Sequence, residues 1–291
     1  SKKMECCKQK LPYESETGVF QSSMAWASVG SNHSSKTALI IPGGPGNAAP
    51  TPEDIGGLEN LVEYDYQVFI VTRPQNMPKY YTVQDIARDY ARMIKTEFGG
   101  HVDLIIGTSY GGMICQFLAA TFKHIFNHIV LVVAACEVNP PCRSIDLAYA
   151  NALAQGRPFA AGAAISKEFW PHCKLPILAK LAGGILHVAK TICGPKHHEH
   201  FANDVVIEAE SEETFDSRPV LPYIKVPVLL IAGEYDYVFP LNLIKETVAL
   251  IPDCRLRLYM GKGHTDVLKD DHRVVRDIVD FVRGQEIRSV L

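Results

Sequence analysis

An α/β chain, with a mostly parallel central sheet, helices on both faces and an inserted helical cap, is what three observations in this sequence predict. Short, continuously apolar runs alternate with segments of helical periodicity, the alternation breaks between Glu137 and Pro219, and the loops that carry chemistry follow the ends of apolar runs. Strands buried on both faces read as unbroken apolar runs, and strands separated by helices pair in parallel through crossovers. Ligands of such open sheets bind beyond the carboxyl ends of the strands.

Taken in order, residues 1–36 hold polar residues and one alternating stretch, Val19–Ala27, which predicts an edge hairpin strand. Strands are then expected near 37–41, 67–72, 103–107, 128–134, 227–232 and 255–260, with helices near 53–64, 83–98, 110–122, 241–250 and 271–284. After Glu137, Asn139-Pro140-Pro141 interrupts the chain, Ser144-Ile145-Asp146-Leu147 offers a helix start, and Gly156-Arg157-Pro158 a stop. Further helices are expected near 166–173, 175–190 and 199–215. The chain therefore divides into a core of residues 1–136 and 220–291 and a helical cap of residues 137–219, which would shape the substrate site and exclude water.

The 291 residues, 47% of them hydrophobic and 21% charged, can bury one large core, which excludes disorder and a coiled coil as global readings. A net charge of −3 supplies no basic field for nucleic acid or for an anionic membrane surface. The longest apolar run, Ile129–Cys136, is far shorter than the roughly 20 residues of a membrane span, and no apolar segment follows Ser1-Lys2-Lys3 as in a signal peptide. Eight cysteines are scattered through a chain large enough to be stable without staples, which predicts reduced thiols and a cytoplasmic setting. Cys115 and Cys136 read as small buried hydrophobes. The Cys6-Cys7 pair invites acylation but has no amphipathic helix or myristoylation signal beside it.

The chemistry starts at Gly107-Thr108-Ser109-Tyr110-Gly111, between the apolar run ending at Ile106 and a helical segment. A serine there is held in a tight strand-to-helix turn, and glycines flank it because strand and helix approach closely. Such a hydroxyl needs a base, and the base needs an orienting acid. The apolar run Val228–Gly233 ends in a loop carrying Asp236, and the strand Arg255–Met260 runs into Gly261-Lys262-Gly263-His264. Upstream, the strand at 37–41 ends in Pro42-Gly43-Gly44-Pro45-Gly46, a loop that exposes little but backbone. Two N–H donors aimed at a developing oxyanion are expected from Gly44 and from Tyr110, since Pro45 has none. The phosphate-binding patterns GxxxxGK[ST] and GxGxxG are absent.

With its nucleophile, acid and base in the order Ser109, Asp236, His264, the chain resembles an α/β-hydrolase over most of its length. The Gly-Gly-Pro-Gly loop and the insertion resemble the proline iminopeptidase-like branch. The resemblance implies Ser109 as nucleophile, His264 as general base, Asp236 as its orienter, and Gly44 with Tyr110 as oxyanion hole, with no cofactor. Two departures stand out: Pro42 replaces the branch's usual histidine, and of its Asp-x-Arg-Gly-x-Gly-x-Ser stretch only Arg73 survives.

Other readings compete for some residues. Glu234 and Asp266 are alternative acids for His264. Lys196-His197-His198-Glu199-His200 is tempting for a metal but matches neither HExxH nor HxxEH, so a solvated patch is expected and no metal site is assigned. His101, His124, His128 and His272 suit surface or capping roles. Phe159, Phe169, Trp170, Phe201 and Phe215 read as cap core, with some free to line a pocket. The expected activity is cleavage of a small carboxylic ester with an apolar acyl part through an acyl-enzyme. An iminopeptidase would need acidic cap residues for the substrate amine, with Glu137, Glu168 and Glu199 as candidates. A ligand-binding protein of the same fold with little turnover is the third reading, and acyl transfer a variant of the first.

Overall fold

In the computed structural model, which describes residues 12–170, 173–193 and 197–285, the apolar runs form an eight-stranded sheet. Its strands are β1 (Ser15–Val19), β2 (Ala25–Val29), β3 (Lys36–Ile41), β4 (Tyr66–Val71), β5 (Val102–Thr108), β6 (Phe126–Val132), β7 (Val228–Gly233) and β8 (Cys254–Tyr259). They lie in the order β1-β2-β4-β3-β5-β6-β7-β8, antiparallel at β1/β2 and β2/β4 and parallel elsewhere. The helices are α1 (Val83–Glu97), α2 (Tyr110–Thr121), α3 (Pro140–Ala154), α4 (Pro158–Phe169), α5 (Pro176–Cys193), α6 (Phe201–Glu212), α7 (Leu241–Leu250), α8 (His264–Leu268) and α9 (Asp271–Val282), with a 3₁₀ segment at Pro52–Tyr64.

Successive residues of one strand enter two different cores, because side chains alternate across a sheet that is covered on both faces. Leu39 and Ile41 of β3 pack with Ile86, Tyr90 and Ile94 of α1 and Ile114 of α2. Ala38 and Ile40, on the opposite face, pack with Ile55 and Leu61 of the 3₁₀ segment and with Val274 and Ile278 of α9. Between β6 and β7 the chain leaves the sheet, and α3 and α6 form a small core of their own around Ala150, Phe201, Val205 and Ala209.

Several boundaries differ from the sequence expectation for local reasons. The stretch Val19–Ala27 is two strands joined by a reversal, in which the Ser23 N–H donates to the Phe20 carbonyl at 3.0 Å and Ser23 takes φ 62°. Turn-forming Gln21-Ser22-Ser23 continues the polar alternation through the bend and hides it. Helix α3 begins at Pro140 and α4 at Pro158. Proline at a first helical position loses no hydrogen bond, so Pro140 starts a helix where an interruption was expected, while α3 ends at Ala154, at the stop expected from Gly156-Arg157-Pro158, and Pro158 starts the next helix. The 53–64 segment is 3₁₀ and is interrupted at Gly56, whose φ of 61° breaks the helical path. Cys115, Cys136 and Cys142 are buried free thiols, while Cys173 is exposed and Cys254 half-buried. The Cys6-Cys7 pair lies outside the described residues. Among the described residues, no helix is long and apolar enough to cross a membrane.

Candidate active site

Ser109 sits between β5 and α2 with φ 52° and ψ −116°, a conformation that costs about 1–3 kcal/mol for a residue with a side chain. Its surroundings over-determine it. The Ser109 N–H donates to the Val132 carbonyl at 2.9 Å, and the Ser109 carbonyl accepts from Gly112 N–H at 2.8 Å. A Cβ on Gly107 would overlap Cys115 Sγ and the Gly111 carbonyl, and one on Gly111 would overlap the Ile41 carbonyl of β3. Close backbone approach, as the sequence pattern implied, is why both positions are glycine.

The other two side chains come from the ends of β7 and β8. Asp236 is 3% exposed, and its Oδ1 accepts from the N–H groups of Val238 at 2.8 Å and Phe239 at 2.9 Å. That turn leaves Oδ2 for His264 Nδ1, 2.8 Å away, while His264 Nε2 lies 3.1 Å from Ser109 Oγ. The loops that carry acid and base are tied together, since the Tyr235 N–H donates to the Lys262 carbonyl at 2.9 Å. The rival acids serve these loops: Glu234 Oε2 accepts from Gly261 N–H at 2.8 Å and Asp266 Oδ2 from Gly263 N–H at 3.0 Å. Neither is within hydrogen-bonding distance of His264 in the described set, and Asp236 is.

The glycine-rich loop after β3 is held from beneath by Arg73, a side chain with no solvent exposure. Its guanidinium donates to the carbonyls of Pro42 at 2.9 Å, Gly43 at 3.2 Å and Gly46 at 2.7 Å. It also makes a two-pronged pair with Glu208 of α6, at 2.8 and 2.9 Å, and Glu208 Oε2 accepts from Gly46 N–H at 2.6 Å. Burial disfavours the charge on Arg73, but the carboxylate beside it outweighs burial and raises the guanidinium pKa. Gly44 lies against the Tyr110 ring, and the Tyr110 hydroxyl shares a 2.7 Å hydrogen bond with Ser211 of α6. Sequence reading marked Arg73 but missed Glu208, because a glutamate on a helix carries no signal that a distant loop depends on it.

Residues 38–278 match the family described as "Alpha/beta hydrolase family". The chain belongs to that family. Among solved structures, the enol-lactonase from Burkholderia xenovorans LB400 superposes with a TM-score of 0.69 at 16% identity, over 89% of this chain and 96% of that one. MGS-M2, an alpha/beta hydrolase enzyme from a Medee basin deep-sea metagenome library, gives 0.71 at 16% identity over 94% and 99%. The esterase EaEST from Exiguobacterium antarcticum gives 0.66 at 18% identity over 89% and 95%. At such identities these structures share the fold with this chain. No curated protein matches it.

In this alpha/beta hydrolase, Ser109, His264, Gly44 and Tyr110 open onto one cavity of about 250 Å³, whose far wall is built by Asp146 of α3, Ile165, Glu168 and Phe169 of α4, and Glu212 of α6. Three carboxyls in one small space, with no lysine or arginine among the lining residues, dominate its electrostatics. Burial comes first in raising all three: Asp146 is pushed up to about 7, Glu168 to about 9, and Glu212 well above its ordinary value. Asp146 and Glu212 act on each other as neighbouring carboxyls, while Glu168 Oε1 and Glu212 Oε2 are buried without a hydrogen-bond partner among the described residues.

Of the acidic cap candidates, only Glu168 reaches this cavity. Glu137 pairs with Arg143 and Arg218 outside it, and Glu199 is exposed beside His200. Asp146 was visible only as part of a helix-start pattern, and Glu212 had no signal, because their convergence depends on how α3 crosses α6. His197 stacks on Phe201, and His198 Nε2 is 2.8 Å from the Asn47 carbonyl, so the histidine cluster is spent on separate contacts. Lys196 lies outside the described residues. Phe201 is buried in the small core of α3 and α6, as expected, whereas Phe215 is buried in the main core against Phe117 of α2; Phe159, Phe169 and Trp170 are each exposed by two-fifths or more, and Phe169 lines the cavity.

Proposed function

We propose that this chain is a serine hydrolase that cleaves a small carboxylic ester through an acyl-enzyme. The observation that carries the reading is the unbroken chain of hydrogen bonds from Asp236 through His264 to Ser109, at 2.8 and 3.1 Å, on one rim of the sheet. With Nδ1–H donating to the buried carboxylate, Nε2 keeps its lone pair for the serine hydroxyl. Ser109 Oγ attacks the acyl carbon as its proton passes to Nε2, and the same proton then leaves with the alcohol. The N–H groups of Gly44 and Tyr110 hold the oxyanion. Water, deprotonated by His264, attacks the acyl-enzyme and restores Ser109. Residues 137–219 act as the cap over this site.

The three carboxyls in the cavity wall favour a second reading, in which the acyl part carries an amine, as in the proline iminopeptidase-like branch. One or more of Asp146, Glu168 and Glu212 would then be ionised by the ammonium group it binds. A fluorophosphonate probe and a pair of substrates, p-nitrophenyl butyrate and proline p-nitroanilide, test both readings. The wild type is expected to label and to turn over the ester, and Ser109→Ala to do neither. Preferred cleavage of the anilide, with KM raised in Glu168→Gln, replaces the first reading by the second. Labelling that persists in Ser109→Ala overturns both.

A further inference from the structure

Helix α5 presents most of its large apolar side chains to solvent and packs three small residues against the protein. Ala179, Gly183 and Gly184 are buried, with Gly183 packed backbone to backbone on Gly162 of α4 and Gly184 under the ring of Phe159. A Cβ at any of the three glycines would overlap its neighbour. The outward side carries Ile177, Leu178, Leu181, Ile185, Leu186 and Ile192, each about half exposed or more and reaching 80% at Ile177. At 3.6 residues per turn, Leu178, Leu181, Ile185 and Ile192 fall on one stripe. Surface helices of water-soluble proteins turn such a stripe inward, and a continuous exposed one marks a contact surface.

The charge around the stripe indicates what it meets. Between Glu168 and Glu199 the chain has no aspartate or glutamate, but it has Lys174, Lys180, Lys190 and Lys196. The net charge of −3 conceals this segment. An apolar stripe beside the exposed Lys174 and Lys180, in a segment with no acidic residue, fits an anionic lipid interface, where aliphatic side chains enter the acyl boundary and ammonium groups meet headgroups. A second copy of the chain would set lysines against lysines. Phe169, at the end of α4, is 45% exposed and lines the Ser109 cavity.

We propose that α5 docks this protein on an anionic lipid surface through Leu178, Leu181, Ile185 and Ile192. Docking does not depend on the hydrolytic reading. The test is flotation with vesicles of equal parts phosphatidylcholine and phosphatidylserine, beside vesicles of phosphatidylcholine alone. The wild type is expected to float with the anionic vesicles, with the bound fraction falling on the order of tenfold in about 0.5 M salt. The exposed double variant Leu181→Glu/Ile185→Glu is expected to stay in solution while keeping the wild-type melting temperature, and Lys174→Glu/Lys180→Glu to bind on the order of tenfold less. Failure of the wild type to float, equal flotation of the Leu181→Glu/Ile185→Glu variant, or equal binding to neutral vesicles overturns the proposal. A dimer that this variant dissolves, with no flotation of the wild type, overturns it in favour of a second copy.

Discussion

Replacing Asp146 and Glu212 together, as Asp146→Asn/Glu212→Gln, is expected to flatten the decline of stability with rising pH. In the unfolded chain Asp146 gives up its proton near its ordinary value of 3.8, whereas burial keeps the folded-state proton on until about 7. Between those values the folded protein holds the extra proton, so raising the pH drains stability, in full once pH exceeds about 7. At about 1.4 kcal/mol per pH unit, the whole interval corresponds to on the order of 4 kcal/mol for Asp146 alone. From pH 5.5 to pH 8.5 about 2 kcal/mol of this is measurable by urea unfolding. Glu212, raised well above its ordinary value, adds a loss of the same sign, whereas Glu168, which both proteins keep, loses stability in each. The wild type should therefore lose at least about 2 kcal/mol more than the double variant across that range. Equal losses would refute the placement of these carboxyls in a buried wall without lysine or arginine.

Two further outcomes follow from close contacts. Glu208→Gln leaves the Arg73 charge buried beside a neutral amide, so unfolding in urea should come about 3–5 kcal/mol earlier, and kcat should fall at least tenfold as the Gly44 loop loosens; unchanged kcat in the folded variant would assign the pair to stability alone. Gly111→Ala drives a methyl into the Ile41 carbonyl, and a melt within 1 kcal/mol of wild type, against the several kcal/mol expected, would contradict the tight elbow.

Much of the sheet was legible because its strands are buried on both faces, so Val228–Gly233 and Leu104–Ile106 are apolar at every step. The elbow was legible for a related reason: backbone packed on backbone admits only glycine, and that requirement shows in the letters 107 and 111. Asp236 and His264 were legible by position, each in the loop after a strand. What stayed hidden depends on the crossing of helices. Asp146, Glu208 and Glu212 meet the site only through the packing of α3 and α6, and a polar residue on a helix is ordinarily a solvated one. The inverted α5 was hidden because the same apolar periodicity describes a stripe facing the core and a stripe facing away from it.

The ion pair that joins α6 to the loop after β3 limits how this architecture can be remodelled. A graft that exchanges the whole insertion for a relative's would discard Glu208 and leave Arg73 an orphan charge beneath the Pro42–Gly46 loop. Among the described residues, the segment from α4 through α5 has no such anchor to that loop, so it is the module that can be swapped or shortened while the chemical step is kept. Diversification of specificity in this lineage is therefore expected to concentrate in α4 and α5, with α6 inherited together with the strand loop it braces.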